Sequence, residues 1–231
     1  MKQGETWMKA KYPSIYYSFH PNHHLNFQLN RFVTWAGPSA IPDFERAAPQ
    51  IHDFMDWKRE MLALAAEAVA QERELNAAFY YRAAEFFMPE CDPQKAWAYD
   101  QFITLMGRCF PIPPEDRFQI PYETGYLPAI RLRSLNSRGT LVVHGGFDSF
   151  IEEFLPALLD LRDAGYEVIL FEGPGQGAAL KKYHLLMTHQ WEKPVKAILD
   201  YFHLDDVTLI GISLGGYLAT RAAAFERRIR L

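Results

Sequence analysis

Apolar positions in the first half of the chain recur at helical spacing. Between Asp53 and Leu75 the residues Phe54, Trp57, Met61, Leu64, Ala68 and Leu75 fall at steps of three, four or seven, with Glu60, Glu67, Glu72 and Arg73 on the other side. That is one face of an amphipathic helix. The pattern resumes at Phe79, Ala83 and Phe86 and stops at Pro89, whose ring has no N–H to give to a helix. A further helix is predicted from about Gln94 to Cys109, with Ala98, Phe102, Leu105 and Cys109 on one side. The first fifty residues carry Pro13, Pro21, Pro38, Pro42 and Pro49 among aromatics and are expected to be irregular with short helices.

Past residue 111 the pattern changes. Pro111-Ile112-Pro113-Pro114 is stiff and extended and cannot lie inside a helix. It separates a helical N-terminal segment, residues 1–114, from a second region, residues 115–231. Arg117–Tyr122 and Tyr126–Arg133, joined by Glu123-Thr124-Gly125, read as a β-hairpin. Strands at Thr140–Val143, Tyr166–Phe171 and Val207–Ile210 then alternate with helices at Ile151–Ala164, Trp191–Phe202 and Leu214–Glu226. Continuous apolar strands separated by helices predict an α/β fold, a mostly parallel sheet with helices on both faces. Ser149-Phe150-Ile151-Glu152 matches the S-x-x-E capping box that would open the helix at Ile151, and Gly165 would close it. Ala77–Ala84 looks like a tetratricopeptide helix, but no second copy follows at a fixed period, so ordinary helix packing is the reading.

Composition adds exclusions. The 231 residues carry 24 Lys and Arg against 28 Asp and Glu, a formal net charge of −4. With 49% hydrophobic and 23% charged residues, this is the balance of a globular protein. No basic stripe points to a nucleic-acid partner, and Arg227-Arg228-Ile229-Arg230 is too short to be one. Cys91 and Cys109 cannot build a disulfide framework or a CxxC motif. Met1–Ala10 is polar, without the apolar run of a secretory signal. Nowhere do about 18 apolar residues follow one another, so no membrane span is expected. A cytoplasmic protein acting on a small molecule, with neither cofactor nor metal, fits these features.

The candidate chemistry lies at Gly211-Ile212-Ser213-Leu214-Gly215-Gly216, which follows an apolar strand and opens a helix. This is the G-x-S-x-G nucleophile elbow in its required context. Ser213 must sit on a tight strand-to-helix turn for its hydroxyl to project from the sheet, and the flanking glycines remove side chains that would collide there. The N–H of Leu214, at the positive end of the following helix, is the natural first donor to an oxyanion. A second donor is expected from His144-Gly145-Gly146-Phe147-Asp148-Ser149, after the first parallel strand; Gly146 and Phe147 are equal candidates. Replacing Gly146 with Val is expected to lower turnover and leave the fold intact. Asp148 and Glu153 are candidate pocket acids, because capping already accounts for Glu152.

The elbow and the upstream H-G-G loop, each at the end of its own strand, resemble the α/β-hydrolases. The layout is similar to the group that holds the fermentation–respiration switch protein and 2,6-dihydroxypseudooxynicotine hydrolase. The shared features are a helical N-terminal segment, the loop Gly145–Ser149 followed by Glu152-Glu153, a G-P-G-x-G turn at Gly173–Gly177, and the elbow at Ser213. The resemblance implies that residues 115–231 form the N-terminal part of a hydrolase core, with residues 1–114 as a cap. It also implies a serine hydrolase cleaving an ester, amide or C–C bond.

One departure stands out. In this fold the triad runs Ser, then Asp or Glu, then His, yet after Ser213 the sequence holds only Glu226 as an acid and no histidine. His20, His23, His24, His52, His144, His184, His189 and His203 all precede the serine, none reads as the base, and none has metal-ligand spacing. The sequence is expected to be the first part of a longer enzyme, cut before acid and base. Alone it should lack an assembled triad and self-associate through uncovered apolar surface. The alternative is a catalytically incomplete, hydrolase-like binding or regulatory module. A nucleotide-binding reading is weaker: Gly173–Gly177 lacks the Lys-Ser/Thr of a P-loop, and Ser213 stands where a dinucleotide fingerprint needs glycine.

Overall fold

The computed structural model describes residues 15–230. Met1–Ala10 and Pro13, which figure in the sequence reading, lie outside the described residues. The chain divides between Pro111 and Ile112 into two compact units. Among the described residues no helix is long and apolar enough to cross a membrane.

The first unit is helical: α1 (His23–Ala36), α2 (Ile41–Ala47), α3 (Phe54–Ala70), α4 (Glu74–Phe87) and α5 (Lys95–Cys109). The helix α1 is longer than the short helices expected of this stretch. Its prolines punctuate rather than disrupt, with Pro21 before the start and Pro38 after the end. Asn22 supplies the cap, its side-chain oxygen accepting from the N–H of His24 (2.9 Å) and Leu25 (3.4 Å). Asp53 caps α3 likewise, accepting from Met55 (2.9 Å) and Asp56 (2.8 Å).

The periodicity from Asp53 to Leu75 is not one helix. The helix α3 ends at Ala70, and Leu75 belongs to α4. The break is a Schellman closure: Glu72 takes φ 57, the Arg73 N–H returns to the Ala68 carbonyl (2.8 Å), and the Glu72 N–H reaches Val69 (3.1 Å). A glutamate in the place usually held by glycine hides the stop from a reader of the sequence. The helix α4 is buried from Asn76 to Glu85, as an element packed on nearly all sides must be.

In the second unit one six-stranded sheet runs in the order β1-β2-β4-β3-β5-β6, from β1 (Arg117–Tyr122), β2 (Gly125–Leu132), β3 (Thr140–His144), β4 (Glu167–Phe171), β5 (Val207–Gly211) and β6 (Ile229–Arg230). The hairpin is antiparallel and joins β4 antiparallel, while β4, β3, β5 and β6 are mutually parallel. The mostly parallel α/β sheet agrees with the expectation. The helices α6 (Leu155–Asp163), α7 (Gly177–Lys181), α8 (Glu192–Tyr201) and α9 (Gly215–Ala223) connect the strands or follow them. Val142, Ile169, Trp191, Val195, Ile198 and Leu218 share one buried cluster.

Two local expectations fail here. The helix expected from Ile151 begins as a 3-10 turn, Ile151–Phe154, without a side-chain cap. The Ser149 hydroxyl accepts from the Gly146 N–H instead (2.8 Å), and Glu152 is buried beside Arg117 (3.5 Å). Closing the loop therefore takes the hydroxyl that the capping box would have used. The strand β6 was not foreseen, since two residues inside a basic cluster carry no period. It pairs with Val207 and Thr208 only.

Candidate active site

Pairing of β3 with β4 and β5 sets His144 opposite both Phe171 and Gly211. The loops leaving these three carboxyl ends therefore start side by side, where open α/β sheets form their ligand crevices.

The elbow is tight. Ser213 takes φ 61, a left-handed conformation costly for a residue with a Cβ. The Gly215 N–H donates to Ile212 (2.9 Å), and the Gly216 N–H donates to Ser213 (2.9 Å). At Gly211 a Cβ would overlap the Gly215 carbonyl, so only glycine allows the strand end and helix start to approach this closely. The Ser213 side chain is exposed, and among the described residues its hydroxyl has no hydrogen-bond partner. The Leu214 N–H likewise has no acceptor among the described residues.

The H-G-G loop lies directly against the elbow. The Ile212 N–H donates to the His144 carbonyl (3.1 Å). A Cβ at Gly146 would stand 2.7 Å from the Leu214 nitrogen and 2.8 Å from the Ile212 oxygen. The two donor candidates are no longer equal. The Gly146 N–H is occupied by Ser149, whereas the Phe147 N–H has no acceptor among the described residues. Leu214 (40% exposed) and Tyr217 (60%) follow the serine in sequence, and Phe147 (66%) is exposed on the H-G-G loop. Asp148 is exposed beside Phe147, at φ 55. Glu153 is fully buried in the 3-10 turn and does not face solvent.

The third loop, Glu172–Gly177, was read only as a turn, yet it holds the others. Gln176 is buried and donates from its amide nitrogen to the carbonyls of Gly145 (2.7 Å) and Gly146 (3.0 Å), while its oxygen accepts the Gly173 N–H (2.9 Å). Glu172 accepts from Ile151 (3.2 Å) and Ala178 (2.6 Å). Burial, and then the nearby Glu152 charge, push its carboxyl above the ordinary range; burial raises Glu152 as well. The sequence signal that was available is slight: one amide among three glycines at the end of an apolar strand.

The histidine that ends β3 is not placed to act as a base. His144 is buried, its Nδ1 2.8 Å from the Gly145 carbonyl and its Nε2 accepting from Trp191 Nε1 (3.1 Å). These bonds fix the neutral tautomer with the proton on Nδ1, and burial lowers its pKa to about 4. Glu226, the one acid after Ser213, is paired with Arg228 (2.6 Å).

Comparison with known proteins agrees with this architecture. The profile of a family described as the alpha/beta hydrolase family matches residues 140–231. A hydrolase named acrC from Aspergillus aculeatus is 31% identical over 91% of this chain and 61% of its own length. AbyA5 superposes with a TM-score of 0.70 at 22% identity, over 88% of this chain and 60% of that one. The 2,6-dihydroxy-pseudo-oxynicotine hydrolase does so with 0.60 at 22% identity, over 86% and 62%. The chain thus spans about three fifths of the length of each. With the strand order, the elbow and the family match together, the chain belongs to the α/β-hydrolase superfamily.

Proposed function

We propose that the protein is a serine hydrolase that cleaves an ester, amide or C–C bond of a small substrate through Ser213. One observation carries the reading. An exposed, unbonded serine hydroxyl sits at a left-handed strand-to-helix turn, and the Leu214 and Phe147 N–H groups beside it lack acceptors. Two N–H groups without a protein acceptor beside a serine at such a turn suit a charge that appears only during reaction.

Ser213 Oγ attacks the substrate carbonyl carbon, and its proton passes to a histidine as the C–O bond forms. The carbonyl oxygen becomes an oxyanion held by Leu214 and Phe147. Collapse breaks the bond to the leaving group, which takes the proton, and water then repeats the sequence on the acyl-enzyme. In this fold the proton-accepting histidine and its orienting acid follow the serine in chain order, and no described residue after Ser213 is a histidine. The exposed Phe147, Leu214 and Tyr217 side chains suit a substrate with an apolar body. A binding module without catalysis would show the same unbonded serine, so labelling decides between them. A fluorophosphonate probe should label the whole protein at Ser213 and fail to label Ser213→Ala. Labelling at another residue, or none at a protein shown to be folded, would overturn the proposal.

A further inference from the structure

Three candidates outside the reacting atoms stand out. The cavity of about 550 Å³ between Asn22 and Phe87 in the helical unit is lined by Phe27, Phe54 and Phe87 but shows nothing that selects a ligand. The buried Glu152–Glu172 pair is tied into backbone donors and Arg117. The Gln176 amide reaches the loop that the reaction depends on.

We propose that Gln176 is a positioning residue, whose amide holds the Gly145 and Gly146 carbonyls so that the Phe147 N–H stays aimed at the Ser213 centre. The inference rests on the serine-hydrolase reading above. Both amide hydrogens of Gln176 are spent on consecutive carbonyls, and its oxygen is fixed by the Gly173 N–H, so the side chain cannot rotate without leaving buried groups unpaired. With the carbonyls of 145 and 146 pinned, the peptide planes that set the direction of the next N–H are pinned as well. Ser149 fixes the same loop from the other side by taking the Gly146 N–H. The Phe147 N–H, next along the loop, has no acceptor among the described residues. Gln176 itself is buried and needs no contact with substrate.

The test is phosphonylation of the whole protein, a reaction that also builds negative charge on an oxygen in the donor site. Gln176→Glu keeps the size and the acceptor for Gly173 but replaces both donated bonds with repulsion; Gln176→Met removes all three bonds at similar volume. Thermal melting selects the variants that fold. A misplacement of about 1 Å in a reacting group costs roughly 10²-fold. We therefore expect kinact for a fluorophosphonate to fall roughly 10²-fold while KI stays within a few-fold. Affinity for phenylboronic acid, which forms a tetrahedral adduct, should fall in parallel. A structural role alone would lower melting temperature and leave kinact per folded molecule unchanged. A folded variant with wild-type kinact, or a loss confined to KI, would overturn the role of Gln176 while the Ser213 assignment stands. Failure of the wild-type protein to label at Ser213 would overturn the hydrolase reading and this inference with it. If neither variant folds, Gln176→His, which can donate to one carbonyl, should give an intermediate kinact, and a wild-type value there would count against the proposal.

Discussion

A histidine with both ring nitrogens occupied inside an apolar shell has to stay neutral, and His144 is such a residue. Its pKa is lowered to about 4 by burial, against an ordinary value of 6.5. Between those values the unfolded chain binds a proton that the folded chain does not. The stabilisation is therefore complete above about pH 6.5 and is lost progressively as pH falls towards 4, on the order of 3 kcal/mol in all. Urea unfolding at pH 7 and pH 4.5 should show this loss, and His144→Gln should show a shallower dependence over the same window. Parallel pH dependences would refute it. At this scale the elbow was legible, because close backbone approach demands glycine at fixed spacing around Ser213, and such a demand leaves a motif. Which of the Gly146 and Phe147 N–H groups is free of a protein acceptor was not legible, since it depends on the Ser149 hydroxyl. Gln176 was not legible, since a hydrogen bond spanning 31 positions leaves no local trace. The expectation that Gly146→Val would spare the fold does not survive either. A Cβ there meets backbone at 2.7 to 2.9 Å, so the elbow must move and stability must fall with activity.

Among the elements, α4 shows how burial changes the meaning of a charge. Arg82 and Glu85 lie one turn apart within it, both buried, with the guanidinium and carboxylate 2.7 Å apart. The Arg82 guanidinium also stacks 5.2 Å from the Phe86 ring centre. Removing one partner of a buried pair takes away the charge that offsets the other's loss of hydration. We expect Glu85→Ala to cost about 3 to 5 kcal/mol in urea unfolding, while the double change Arg82→Met with Glu85→Leu costs less than that single one. A cost for Glu85→Ala below about 1 kcal/mol would refute a large contribution from this ion pair. Elements with a clear period were legible: α5, the hairpin and the strands β3, β4 and β5 fall close to their expected limits, and α3 starts where expected but stops at Ala70. What escaped was punctuation. The α3–α4 break uses glutamate in a glycine's place, the capping box at Ser149 was diverted to the loop, and α1 was obscured by prolines that in fact delimit it.

At the scale of the second unit, the sheet is what brings three separate loops to one place. The elbow serine, the H-G-G loop and the Gln176 bracket leave strands β5, β3 and β4, whose ends share one register level at Gly211, His144 and Phe171. Alternation of strands and helices predicted that sheet, because a parallel crossover needs a helix-length connection. The strand order could not be read from the pattern, which carries no information on which parallel neighbour lies where. A site fixed by strand ends should tolerate a defect deeper in the sheet. Ile169 is fully buried, paired with Val142 of β3 and Arg131 of β2, two positions before the end of β4. Ile169→Ala should cost about 2 to 5 kcal/mol through the lost contacts and the cavity left behind. The hydrogen bonds of Gln176, Ser149 and the elbow are made beyond that level, so fluorophosphonate kinact per folded molecule should stay within a few-fold of wild type. Urea unfolding and labelling of the same preparation measure both quantities. If kinact fell as far as it does in Gln176→Met, the loops would depend on core packing directly, and the hydrogen-bonded bracket would not be what holds them.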